Sequence, residues 1–139
     1  ALGIAKESNN PTILLTGDLA FYYDLNSLLI AKKYLIPIII IVINNNGGAI
    51  FDALPISKEK EILKDYFITP HNLNFKNFVN GFDGNYIKIK TRNEFINSVQ
   101  KAFTKKTFSI IEIETNPRQS NKIREKYWNE VNNEMTKYF

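Results

Sequence analysis

Two apolar runs organise the chain. Thr12-Ile13-Leu14-Leu15 is short, and Ile38-Ile39-Ile40-Ile41-Val42-Ile43 is wholly β-branched. Both are too short and too β-branched for helices, so they predict buried strands. Leu2 to Ser8 reads as the end of a helix, closed by Asn9-Asn10-Pro11, since the residue before proline is pushed out of helical space. A helix is predicted from about Asp24 to Tyr34, capped by Asp24 or Asn26, with Leu25, Leu28, Leu29 and Ala31 as its buried stripe. Pro37 marks entry to the second strand, whose unbroken apolar run requires cover on both faces.

The polar pattern punctuates the rest. Ile50, Phe51 and Leu54 form a short apolar segment, and Ser57 is placed to cap a charged helix through Ile62 to Tyr66 or Phe67. Thr69-Pro70-His71-Asn72 reads as a loop, and a helix follows from Asn74 to Asn80, ended by Gly81. Tyr86 to Ile89 is the third strand. Thr91-Arg92-Asn93-Glu94 has the spacing of a capping box, opening a helix with Phe95, Ile96, Val99 and Phe103 inward. Phe108 to Ile113 is the fourth strand. Asn116-Pro117 breaks it, and a last amphipathic helix runs from about Ser120 to Met135, with Tyr127 and Trp128 as its anchors. The order is mostly β-α-β. That predicts an α/β fold, a parallel sheet flanked by helices on both faces.

Composition narrows the class. A chain of 139 residues with 44% hydrophobic and 23% charged positions suits one globular domain with a single core. There is no Cys, so neither a disulfide framework nor a thiolate metal site is available. The run Leu35 to Ile43 falls far short of the roughly 20 residues a membrane helix needs. The net charge of +4 lies outside the two turn motifs. Residues 1–57 set Lys6, Lys32 and Lys33 against Glu7, Asp18, Asp24 and Asp52, and the basic excess beyond them is interleaved with acids. That argues against a nucleic-acid surface, which needs a concentrated basic stripe. The start, Ala-Leu-Gly-Ile-Ala-Lys-Glu, has no initiator Met, no basic leader and a helix-like phrasing. It predicts a fragment of a longer polypeptide.

Candidate chemistry sits at the ends of the first two strands. Thr16-Gly17-Asp18-Leu19-Ala20 follows one, and Asn44-Asn45-Asn46-Gly47-Gly48 follows the other. Open parallel sheets bind ligands at this edge. Either motif alone is an ordinary turn. Together they suit a hard cation holding a diphosphate: Mg²⁺ takes about six oxygens and borrows some from phosphates. Asp18 offers a carboxylate oxygen, Asn45 an amide oxygen, and Gly47 a carbonyl that no side chain shields. By periodicity Ile50, Phe51 and Leu54 read as core. His71 is the one histidine in the sequence and reads as a structural loop residue, with no Ser-His-Asp set around it.

With their flanks, the two motifs resemble a known family. Gly17-Asp18 answered by Asn44-Asn45 is similar to the signature of the thiamine-diphosphate-dependent enzymes. Gly17 to Asn26, Asn44 to Pro55, Thr69-Pro70-His71 and Phe75 resemble the MenD branch, the synthases of menaquinone and phylloquinone biosynthesis. The resemblance runs from Leu2 to about Val131 and is most specific in the first 55 residues. Ala20 departs from a common Ser and Ala49 from a frequent Gly or Gln; neither is a proposed metal ligand.

The resemblance implies the C-terminal diphosphate-binding domain of such an enzyme, whose sheet has six parallel strands, most of them expected in this chain. It implies thiamine diphosphate with Mg²⁺ or Mn²⁺, the metal held by Asp18, Asn45 and Gly47. Gly17, Leu19, Ala20, Gly48 and Ala49 would line the diphosphate through backbone. Ile50 would touch the cofactor and, with Phe51 and Leu54, shape the substrate pocket. The implied reaction decarboxylates 2-oxoglutarate and adds the succinyl unit to isochorismate. No catalytic acid lies in this chain: the activating glutamate is expected on a pyrimidine-binding domain of the same enzyme, across a homodimer or homotetramer interface. A cytoplasmic or plastid setting follows, with no nucleic-acid or membrane partner. Two readings stay open beside it: another carboligase or decarboxylase of acetolactate-synthase type, and a non-catalytic metal or nucleotide-binding module.

Overall fold

The computed structural model describes residues 1–138. Helix α1 (Leu2–Glu7) leads into β1 (Thr12–Gly17), and α2 (Asp18–Tyr23) and α3 (Leu28–Lys33) lead into β2 (Ile38–Asn44). Two 3₁₀ turns (Ala49–Ala53, Pro55–Lys58) precede a single turn α4 (Lys60–Ile62) and a π-helical stretch (Leu63–Ile68). Then come α5 (Phe75–Gly81), β3 (Asn85–Ile89), α6 (Arg92–Ala102), β4 (Ser109–Glu114) and α7 (Pro117–Met135).

The strands form one sheet in the order β1-β2-β4-β3, every pair parallel. The described residues thus contribute four strands. The second apolar run lies centrally, between β1 and β4, so both its faces are covered. Ile38, Ile40 and Val42 pack with Phe21, Leu25, Leu28, Ala31, Phe75 and Val79 from the α1, α2, α3 and α5 side. Ile39 and Ile41 pack with Ile111, Ala102, Phe95 and Val99 under α6. Full burial of a Val, Leu, Ile or Phe side chain here contributes about 1.5–3 kcal/mol. The α/β fold with helices on both faces is therefore as expected.

Several local expectations need correction. The helix after β1 begins at Asp18, not near Asp24, and continues through a 3₁₀ turn into α3. Asp24 sits at that junction without a side-chain cap, and Asn26 lies inside the turn. Leu29 is 58% exposed, because α3 turns only Leu28 and Ala31 onto the sheet. Ser57 caps nothing; it lies within the second 3₁₀ turn, and Glu59 precedes α4. On α6, Phe95 and Val99 face the core, whereas Ile96 and Phe103 are exposed. The capping box is as predicted, with Thr91 and Glu94 each bonding the other's backbone. Helix α7 starts at Pro117, capped by Asn116, and buries no residue. Tyr127 and Trp128 meet edge-to-face in the open and anchor nothing among the described residues.

Candidate functional site

The register explains the convergence of the two motifs. Gly17 pairs with Ile43, so Asp18 stands level with Asn44 at the same sheet edge. Asp18 is 2% exposed, and both its carboxylate oxygens accept hydrogen bonds, Oδ1 from a single donor. Oδ1 accepts from the Leu19 amide at 2.9 Å, and Oδ2 accepts from the Gly47 amide at 2.8 Å. A buried carboxylate needs such donors to offset its lost hydration. Asp18 thereby pins the second turn motif to the first.

His71 adds the third donor, and sequence reasoning did not assign it this place. Its Nδ1 accepts from the Leu73 amide at 2.9 Å, so the ring proton sits on Nε2. Nε2 donates to Asp18 Oδ2 at 3.0 Å. The loop that carries His71 is clipped to the Asn turn: the Asn72 amide donates to Asn46 Oδ1 at 2.8 Å, and Asn46 Nδ2 donates to Asn72 Oδ1 at 2.9 Å. The available signal was that Thr69-Pro70-His71 belongs to the resemblance.

The turn itself is strained. Asn46 has φ 63°, Gly47 φ 135°, Thr69 φ 44° and Asn72 φ 50°. Positive φ at non-glycine residues costs free energy and clusters at functional sites. Gly47 has no alternative: a Cβ there would lie 2.2 Å from the Ile68 carbonyl oxygen. At Gly48 it would lie 2.5 Å from the Phe67 oxygen, and the Gly48 amide donates to Ile68 O at 2.8 Å. So the amides of Leu19, Gly47 and Gly48 are all engaged within the protein. Ala20 is exposed, Ala49 is buried, and no side chain crowds Gly17 within 4 Å.

Two buried side-chain oxygens lack a hydrogen-bond partner among the described residues, Ser109 Oγ and Asn45 Oδ1, and only the second lies in the turn motif. An unmet buried carbonyl costs about 1–3 kcal/mol, so it calls for an external partner. A cavity of about 360 Å³ opens on Asn44, Asn45, Asn46, Asn72 and Thr115. No group of three His, Cys, Asp or Glu side chains gathers for a metal among the described residues. A transition-metal cage is therefore not built here; one carboxylate and one amide oxygen suit a hard cation that takes further oxygens from a ligand.

Beyond the turn, Ile50 is 69% and Leu54 47% exposed. The core reading of these two is thus corrected: they lie on the surface. Phe51 is half-buried, edge-on to Phe67 at 5.3 Å.

Residues 1–113 match the family described as thiamine pyrophosphate enzyme, C-terminal TPP binding domain. The chain belongs to that family. Thiamine diphosphate and a divalent metal are the cofactors of this TPP-binding domain family. Curated relatives include proteins named 2-succinyl-5-enolpyruvyl-6-hydroxy-3-cyclohexene-1-carboxylate synthase. The chain is 39% identical over 121 residues to that of Listeria welshimeri, covering 87% of this chain and 21% of the relative. It is 40% identical over 131 residues to that of Desulfitobacterium hafniense, covering 93% and 23%. Against that of Geobacillus kaustophilus it is 36% identical over 137 residues, covering 99% and 24%. The chain thus spans less than a quarter of the length of these relatives. In three dimensions it is similar to a thiamine diphosphate-dependent 4-hydroxybenzoylformate decarboxylase from Rhodococcus jostii, with a TM-score of 0.72, 24% identity, and coverage of 84% of this chain and 22% of that one. That likeness establishes the fold of a TPP-binding domain. No helix among the described residues is long and apolar enough to cross a membrane.

Proposed function

We propose that this TPP-binding domain serves an enzyme that decarboxylates 2-oxoglutarate and adds the succinyl unit to isochorismate, in menaquinone or phylloquinone biosynthesis. The choice of reaction rests on the shared name of its relatives. The cofactor half is carried by one observation: the buried, unpartnered Asn45 Oδ1 at the edge where Asp18 is held. Asp18, Asn45 and the Gly47 carbonyl would hold Mg²⁺ or Mn²⁺, and the metal would neutralise the diphosphate. Bound thiamine diphosphate supplies the means of stabilising the electron pair released when CO₂ leaves.

The chain's own residues bind and orient. Gly17, Leu19, Ala20, Gly48 and Ala49 would stand along the diphosphate. Ile50, exposed on the surface, would meet the cofactor and, with Phe51 and Leu54, narrow the space for substrate. Gly47 and His71 hold the Asp18 carboxylate in place through its Oδ2. The acid that activates the cofactor's other ring would come from a pyrimidine-binding domain of the same enzyme, in a homodimer or homotetramer. A bacterial cytoplasmic or plastid setting goes with that reading. The family membership disfavours a nucleotide-binding module.

The test uses the full-length enzyme with Mg²⁺ and thiamine diphosphate. CO₂ release from 2-oxoglutarate and coupling to isochorismate are expected, with Asp18→Ala losing cofactor affinity. The 139-residue chain alone should release no CO₂. Comparable kcat/KM for pyruvate would overturn the reading in favour of an acetolactate-synthase type.

A further inference from the structure

A second buried carboxylate lies behind the Asn turn, and no part of the proposed site uses it. Glu112 on β4 is 3% exposed and accepts on both oxygens. Oε1 accepts from Asn44 Nδ2 at 2.7 Å, and Oε2 accepts from the Tyr86 hydroxyl. Tyr86 sits on β3, and its register partner is Ile110 on β4, two residues before Glu112. Burial, then the hydrogen bond and charge of Glu112, then the charge of Glu114 push the Tyr86 hydroxyl well above its ordinary range, so it remains a donor.

Asn44 turns this anchor toward the site. It is 7% exposed and uses both ends of its amide. Nδ2 is spent on Glu112, which leaves Oδ1 to accept from the Asn46 amide at 2.9 Å. That bond closes the turn around Asn45 and holds Asn46 at φ 63°. The Asn44 carbonyl accepts from the Thr115 amide at 2.8 Å, tying the same strand end to β4. Without Glu112, nothing among the described residues fixes the orientation of the Asn44 amide from the Nδ2 side. A flip would then present a donor to the Asn46 amide, and the turn would lose its closing bond.

We propose that Glu112, braced by Tyr86, is a positioning residue for cofactor binding: it orients Asn44 so that the Asn44–Asn46 turn aims Asn45 Oδ1 and Gly47 at the divalent metal. This rests on the reading of the Asn turn as the metal–diphosphate site. Glu112 touches neither metal nor cofactor. Its contribution is to pre-pay the ordering of the turn, and preorganisation of this kind appears as affinity.

The test measures Mg²⁺–thiamine diphosphate affinity of the full-length enzyme by calorimetry, beside its cofactor-free melting temperature. Glu112→Leu should weaken affinity about tenfold or more, which corresponds to 1.4 kcal/mol. Glu112→Gln keeps an acceptor for Asn44 and lets Tyr86 reverse its bond, so it should recover most of the loss. Ile110→Val, in the core of the same strand and outside the relay, should lower the melting temperature and leave affinity unchanged. If Glu112→Leu does not fold, Tyr86→Phe replaces it, with a several-fold loss of affinity expected. Unchanged affinity in a folded Glu112→Leu or Tyr86→Phe protein, with only the melting temperature reduced, would overturn the relay. If Asp18→Ala still abolishes binding in that case, the site reading survives and only the relay falls. If the parent enzyme binds no Mg²⁺–thiamine diphosphate, both fall.

Discussion

Gly47→Ala is the sharpest perturbation of the site, because its cost can be worked out atom by atom. The added Cβ would sit 2.2 Å from Ile68 O, 3.2 Å from Ile68 C and 3.3 Å from its Cγ2. The backbone of the π-helical stretch would have to retreat by more than an ångström. That retreat breaks the Gly48 amide to Ile68 O bond of 2.8 Å, worth about 0.5–1.5 kcal/mol. The alanine must also hold φ near 135°, a strain of about 1–3 kcal/mol. The sum is about 1.5–4.5 kcal/mol, and it falls on the segment that presents Gly47 N to Asp18 Oδ2. The assay is hydrogen exchange on the full-length enzyme. Amides of residues 47–68 should lose protection by about 30-fold or more, which is what a loss of about 2 kcal/mol implies. The strand amides of β1, β2 and β4 should be unaffected. Cofactor affinity should fall in parallel. Gly3→Ala is the control: no atom lies within 4 Å of the new Cβ, and Gly3 sits in α1, so it should be neutral or stabilising by about 0.5–1 kcal/mol. Retained protection across 47–68 in Gly47→Ala would refute the claim that this turn has no room for a side chain.

His71→Ala removes the Nε2 donor from Asp18 and the acceptor of the Leu73 amide; a bond to a charged group is worth about 1.5–3 kcal/mol, so Mg²⁺–cofactor affinity measured by calorimetry should drop by at least tenfold. Phe51→Ala should lower kcat/KM for substrate more than it lowers cofactor affinity; a change in melting temperature alone would mark Phe51 as a packing residue against Phe67. Tyr86 gives a pH test with a definite sign. Its folded pKa is raised above 10.0, first by burial and then by Glu112, so the neutral hydroxyl stabilises fully below pH about 10 and that stabilisation is lost as pH rises above it. Urea midpoints should therefore fall more steeply above pH about 10 in the parent protein than in Tyr86→Phe, and equal slopes would contradict the assignment.

Local sequence determined the strands and the candidate chemistry of their ends, because those signals are short-range. A wholly β-branched run such as Ile38–Ile43 has few options besides a doubly covered strand. Thr91 and Glu94 carry their capping box within one helical turn. Asp18 and Asn45 could be paired because each directly follows a strand, and parallel strands deliver their C-termini to one edge. The start of α2 is not legible in the sequence, since Leu19-Ala20-Phe21-Tyr22-Tyr23 is apolar throughout and shows no helical period.

Tertiary structure alone decided who meets whom across long separations. His71 reaches Asp18 only because the Asn46–Asn72 clip folds its loop over the strand ends. In Ile111-Glu112-Ile113-Glu114 nothing distinguishes the two glutamates. Register sets Glu112 among Asn44 and Tyr86 in the interior and leaves Glu114 in solvent with Lys88. Likewise Leu29, Ile96 and Phe103 fit an inward stripe by spacing, yet only the actual rotation of α3 and α6 on the sheet determines which apolar side chains find a partner. Periodicity reports what a segment can bury; burial itself depends on the surface that arrives opposite.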